Sequence, residues 1–159
     1  MRQAEELRFL ILALQREGNR MLAAQLRPLG LTPAQGEALS VLARHQPLPL
    51  SGLGGLLVCE SGTNPSRIVD RLAASGLVRR EPGADDRRQV VLTLTDAGRE
   101  LAAKVAAVED RLHDTLDNLV AGHDVAPVLD LLRAMAAHFP AGEALRRRAA
   151  GPPSRTNPS

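Results

Sequence analysis

Residues 75–95 read SGLVRREPGADDRRQVVLTLT, and the order of residue types in that stretch decides the fold. Leu77-Val78-Arg79-Arg80-Glu81 and Gln89 to Leu94 have strand character, the second with Val90, Leu92 and Leu94 at alternate positions. Between them, Pro82-Gly83-Ala84-Asp85-Asp86-Arg87-Arg88 is polar and carries turn chemistry. The stretch predicts a β-hairpin with a basic tip. Gly76 closes a helix ahead of it, and Thr95 caps another behind it.

Working towards the N-terminus, Ser61 to Ser75 reads as a helix capped by Ser61, with Pro65 inside its first turn. Ile68, Val69 and Leu72 face the core, which leaves Thr63, Ser66, Arg67, Asp70 and Ala74 on the opposite face. A short helix from Ser51 precedes it, rich in glycine and dependent on packing. Before that, Thr32-Pro33-Ala34-Gln35 is a capping-box start for a helix carrying Ala38, Leu39, Val41 and Leu42. The first helix runs from about Gln3 to Leu26 on an apolar stripe of Leu7, Leu10, Ile11, Leu14, Met21 and Leu22. Towards the C-terminus, Thr95 opens a helix with Leu101, Val105, Val108, Leu112, Leu116 and Leu119. Gly122 breaks it before a sixth helix with Val125, Val128, Leu129, Leu132, Met135 and Phe139. Residues 141–159 read as a basic, proline-rich tail without fixed structure.

A short helix, a turn, a capped helix and a hairpin in that order make a winged helix-turn-helix. A helix fits the major groove of double-stranded DNA, and a hairpin tip reaches the adjacent minor groove. The fold class expected is mainly α with a small β-hairpin wing. A winged helix-turn-helix domain over 31–95 would sit on a helical dimerisation region formed by 1–30 and 96–140. One winged domain of about 65 residues cannot bury the stripes of the first, fifth and sixth helices, so a homodimer is expected.

Composition narrows the alternatives. Of 159 residues 44% are hydrophobic and 24% charged, enough for a packed core. Two Phe and no Tyr or Trp argue against an aromatic platform for single-stranded nucleic acid. A single cysteine rules out an internal disulfide framework and fits a reducing compartment. With neither a signal-peptide pattern nor a membrane-length apolar run, the expectation is a cytoplasmic protein with no membrane partner. Residues 61–95 hold six Arg against four acids, whereas 96–139 hold four basic residues against eight acidic ones. No Ser/His/Asp motif, phosphate-binding glycine loop or metalloprotease pattern emerges, so neither an enzyme nor a cofactor is expected.

Ile68-Val69-Asp70-Arg71-Leu72, Ser75-Gly76-Leu77-Val78-Arg79-Arg80 and Asp85-Asp86-Arg87-Arg88-Gln89-Val90-Val91-Leu92-Thr93-Leu94-Thr95, followed by Ala97-Gly98, resemble the MarR family of bacterial regulators. The matching core covers roughly residues 32–100, and the flanking helices follow the family arrangement. The resemblance implies a homodimer on a shared base of the first, fifth and sixth helices. It also implies a palindromic operator, a regulator that is usually a repressor, and modulation by an unknown small-molecule effector. Carried over by position, Thr63, Asn64, Ser66 and Arg67 take the recognition role and Arg88 the minor-groove role, with Arg71 and Arg87 completing the DNA-binding set. Asp86 matches the wing aspartate that supports the neighbouring arginines. The implied effector pocket lies where the helical base meets the winged domain, with Leu14, Arg16, Met21 and His45 as its expected lining. The chain departs from the family at Gly62-Thr63-Asn64-Pro65, where many members carry Ser, Arg and β-branched residues.

A redox- or metal-sensing winged-helix regulator is the alternative, and a helical protein–protein module without DNA binding is a third class. Cys59 lacks a flanking cation to lower its pKa and is expected to be a small core residue. His113 with Asp110, Asp114 and Asp117 reads as a solvated acidic face, not a metal site. The Arg146-Arg147-Arg148 run reads as a solvated helix end.

Overall fold

Helices start where side chains supply partners for the free amides of a first turn. The computed structural model describes residues 1–58 and 64–151. Its elements are α1 (Gln3–Leu26), α2 (Pro33–His45), β1 (Leu48–Pro49), α3 (Leu50–Gly54), α4 (Pro65–Ala74), β2 (Val78–Pro82), β3 (Val90–Leu94), α5 (Asp96–Leu119), α6 (Ala126–Ala136) and α7 (Pro140–Ala150). At α2 the capping box forms in full: the Gln35 amide donates to Thr32 Oγ1 at 3.3 Å, and the Thr32 amide donates to Gln35 Oε1 at 2.9 Å. At α5 the Thr95 hydroxyl accepts from the Gly98 amide at 3.0 Å.

The start of α4 differs from the expectation. Asn64 is its cap: the Asn64 carboxamide oxygen accepts the Ser66 amide at 3.0 Å, and Pro65 fills the first helical position, while Ser61, the cap expected from sequence, lies outside the described residues. Proline there needs no donor and presets φ, so Asn-Pro is itself a start signal. The other end closes as expected. Gly76 adopts φ +71, its amide reaches Ala73 O at 3.0 Å and the Leu77 amide reaches Leu72 O at 2.9 Å. This left-handed turn satisfies the last carbonyls and reverses the chain into the wing.

The wing is antiparallel, with Val78 opposite Leu94, Arg80 opposite Leu92 and Pro82 opposite Val90. A short strand not foreseen from sequence, β1, pairs on the far side of β3, giving the order β1-β3-β2. Leu77 and Gln89, expected within the strands, lie just outside them. Leu92 and Leu94 are fully buried with Leu26, Leu39, Leu42, Leu53, Leu72 and Val105. That single core joins the end of α1, all of α2, α3, α4, the sheet and the first half of α5.

The tail expectation is corrected over residues 141–150, which belong to α7. Pro140 occupies its first position, and Glu143 pairs with Arg146 at 2.7 Å and Arg147 at 3.0 Å, at three- and four-residue spacing. Ala144 is buried. The prolines that suggested disorder, Pro152, Pro153 and Pro158, lie outside the described residues.

The wing and α5 meet at one point with no room for a side chain. A Cβ on Gly98 would stand 2.0 Å from the Leu77 carbonyl oxygen, and the obstacle is backbone. Gly98→Ala is therefore expected to cost about 3 kcal/mol or more, because neither partner is free to move aside. Urea unfolding measures this, and an unchanged midpoint would show that the junction yields.

Candidate DNA-binding interface

The outward face of α4 presents Arg67, Asp70, Arg71 and Ala74 to solvent, with Ser66 half-buried beside Asn64. Asn64 belongs to the expected contact set, yet its carboxamide oxygen is taken up by the cap, which leaves its NH₂ group outward. Thr63 and Cys59 lie outside the described residues. The N-terminal end of the helix adds the positive end of its dipole, close to Arg67.

Ion pairing divides the arginines of this region into two sets. Arg80 on β2 pairs with Asp70 on α4, and Arg79 pairs with Glu81 at 3.7 Å. Arg67, Arg71, Arg87 and Arg88 are all exposed, and among the described residues none has a carboxylate partner. The four unpaired guanidiniums are those expected to contact DNA; of the two paired ones, Arg80 ties the hairpin to α4, and Arg79 pairs within its own strand. Sequence reasoning passed over the Asp70–Arg80 tie, although Asp70 is the only acid on α4 and its charge needed an account.

At the wing tip the Asp86 carboxylate accepts the Arg88 amide at 2.9 Å, while the Gln89 amide donates to Asp86 O at 3.0 Å. The Gly83 amide closes the turn on Gln89 O at 2.8 Å. Asp86 thus acts on the Arg88 backbone, shaping the loop as an aspartate turn does. Arg87 and Arg88 both precede β3, so strand alternation does not assign them to opposite faces.

Where α1, α2 and α5 converge, a cavity of about 480 Å³ opens between Leu22, Leu26, Gly36, Leu112 and His113, and α7 adds Leu145 and Arg148. Of the expected lining, Leu14, Arg16, Met21 and His45, none borders this space. Leu14 and Arg16 lie far up α1 and are exposed, since α1 buries only Leu26 at its last turn. His45 lies near α7: partial burial, then the Arg148 and Arg44 guanidiniums, holds its imidazole below the usual range. Among the described residues Glu37 and Ser40 are the buried polar ones, and the Ser40 hydroxyl donates to Glu109 on α5 at 3.0 Å. Among the described residues no three of His, Cys, Asp or Glu gather as a metal site would require. No described helix is long and apolar enough to cross a membrane.

Residues 31–90 match the MarR family profile. The Bacillus subtilis organic hydroperoxide resistance transcriptional regulator is 31% identical over 108 residues, 68% of this chain and 73% of that protein. The chain belongs to the MarR family. Among solved structures, a cysteine-to-serine mutant of E. coli MarR complexed with operator DNA superposes with TM-score 0.70 at 28% identity, covering 82% of this chain and 93% of that one. The repressor CouR, bound to a 23-mer DNA duplex, gives TM-score 0.72 at 26% identity, covering 84% and 94%. This MarR-family chain is accordingly a winged-helix transcriptional regulator of the DNA-binding kind and not an enzyme.

Two outcomes follow for the MarR-type surface. Arg67→Ala should weaken binding to a selected duplex by about 1–3 kcal/mol while leaving the melting temperature nearly unchanged. A large thermal loss with intact binding would assign Arg67 to the fold. At the tip, Asp86→Asn keeps an oxygen for the Arg88 amide and should retain affinity, whereas Asp86→Ala should weaken it by about 1 kcal/mol. Equal tightening by both substitutions, followed by fluorescence anisotropy, would make Asp86 only a repulsive charge.

Proposed function

We propose that this MarR-family protein represses transcription by binding a palindromic operator as a homodimer, and that a small molecule modulates its hold on DNA. The observation that carries the reading is the division of arginines: Arg67, Arg71, Arg87 and Arg88 stand without carboxylate partners among the described residues, on the helix and hairpin tip that a winged domain turns towards DNA. The contact set comprises these four with Thr63, Asn64 and Ser66, supported by Asp86. Arg88 enters the minor groove, where narrow A/T-rich segments concentrate negative potential.

The dimer rests on unburied apolar surface. Helix α6 has no buried residue, and Val128, Leu129, Leu131 and Leu132 along it are exposed, as are Phe9, Leu10 and Leu14 on α1. So much contiguous apolar surface calls for a partner, and a second copy arranged about a two-fold axis matches a palindromic site. Residues 1–30 and 96–140 form this base and 31–95 the reading domain. The 480 Å³ cavity at their junction is the place for the effector, replacing the lining expected from sequence. A regulator of this type works in the cytoplasm, where its DNA is.

The test is to sequence duplexes that the purified protein selects from a random pool. An inverted repeat with A/T-rich flanks is expected, with raised transcription of the adjoining genes when the protein is deleted; selected duplexes without a shared motif would overturn the reading. Light scattering should give twice the 17.0 kDa chain mass. Deleting residues 1–26 should yield aggregate or unfolded chain, and a stable full-length monomer would refute the shared base.

A further inference from the structure

Glu37 lies on α2 and is only 7% exposed, an unusual place for a carboxylate. One of its oxygens, Oε1, accepts two hydrogen bonds from distant parts of the chain. The Val58 amide donates to it at 2.8 Å, and Arg148 Nη1 on α7 donates at 2.6 Å. Val58 belongs to the segment that leads from α3 to the recognition helix α4. A single oxygen therefore joins the C-terminal helix, the central core helix and the approach to α4.

Two further observations place α7 against that approach. Ala141, Ala144 and Arg147 of α7 line one side of a 540 Å³ cleft, and Gly55, Val58 and Pro65 line the other. Of the three consecutive arginines, Arg146 and Arg147 pair with Glu143 on α7 itself, while Arg148 is three-quarters buried and turns inward. Arg148 is thus set apart from its neighbours by partner and by burial. It also lines the junction cavity.

We propose that α7 is a strut for the recognition helix: Arg148, acting through Glu37, holds the Val58 segment and with it the setting of α4 against DNA. Arg148 is a positioning residue and touches no DNA itself. Releasing it lowers affinity without removing a phosphate contact. The inference rests on the DNA-binding reading, but its first link, from Arg148 to the Val58 amide, is measurable without DNA.

The experiment uses the full chain and a duplex selected by the wild-type protein. Arg148→Ala should weaken binding about tenfold, within the range for coupled neighbours. The slope of affinity against salt should stay at the wild-type value, because no counterion-releasing contact is lost. Arg148→Lys should restore most of the affinity, and Arg146→Ala, which removes the same charge from the same helix, should bind as the wild type does. Without DNA, hydrogen exchange at the Val58 amide should rise in Arg148→Ala while the Leu39 and Leu92 amides keep their protection. Unchanged affinity in Arg148→Ala overturns the strut, as does a salt slope reduced by about one, which would make Arg148 a phosphate contact. Protection lost equally at Val58, Leu39 and Leu92 also overturns it, since the pair would then serve only global stability. Should Arg148→Ala fail to fold, Glu37→Gln with Arg148→Ala leaves no unpaired buried charge and carries the same test. Wild-type affinity in that double variant overturns the strut. A wild-type protein that selects no duplex overturns the DNA reading itself, whatever exchange at Val58 shows.

Discussion

The backbone of Leu77 and the first turn of α5 touch, and the relative placement of α4, the wing and α5 follows from that contact. The Leu77 carbonyl accepts the Thr95 amide at 3.1 Å and stands where a side chain on residue 98 would be. The Thr95 hydroxyl donates to Gly76 O at 2.6 Å and accepts from Gly98. Within a few residues the end of α4, the root of the hairpin and the start of α5 are bound together by main-chain groups. Backbone bonds of this kind leave little freedom of angle, because each group has one direction in which it is satisfied. Helix α4, the wing and the long α5 thus share one rigid corner.

Electrostatics then sorts what that corner presents. Asp70 and Arg80 cross from α4 to β2, an exposed pair worth little as stability but well placed to fix the hairpin's tilt against the helix. The arginines left without acids are the ones proposed to meet DNA. Local net charge alone would not separate these sets, since all six lie within residues 61–95. Partnering separates them, and partnering is a property of the folded chain.

A different constraint governs the two ends of the molecule. Helices α1 and α6 are amphipathic in sequence but find little of their own chain to cover them, so Phe9, Leu10, Leu131 and Leu132 remain at the surface. Helix α7 behaves in the opposite way: it is charged and alanine-rich, yet Ala144 and Arg148 bring it against the winged domain. Apolar content predicted burial poorly here. What counted was whether a complementary surface lay within reach of the chain.

Local sequence determined the elements whose cause is local. Thr32 with Gln35, Thr95 with Gly98, Gly76 in its left-handed turn and the alternation through Leu92 and Leu94 each specify a start, a stop or a face from a few neighbouring residues, and the winged helix was legible from them. The arginines proposed as DNA contacts were likewise named from the order of residues in the helix and wing motifs. Tertiary structure decided the rest. Asn64 is the cap of α4 because Pro65 sets the first helical position. The junction cavity is lined by Leu22, Leu26 and Leu112 and not by Leu14 and Arg16, which lie on the exposed stretch of α1. The buried Glu37 gained its meaning from Val58 and from Arg148, 111 residues away. A carboxylate's partners at such separation leave no periodic or short-range mark on the sequence; they are chosen only when the chain closes on itself.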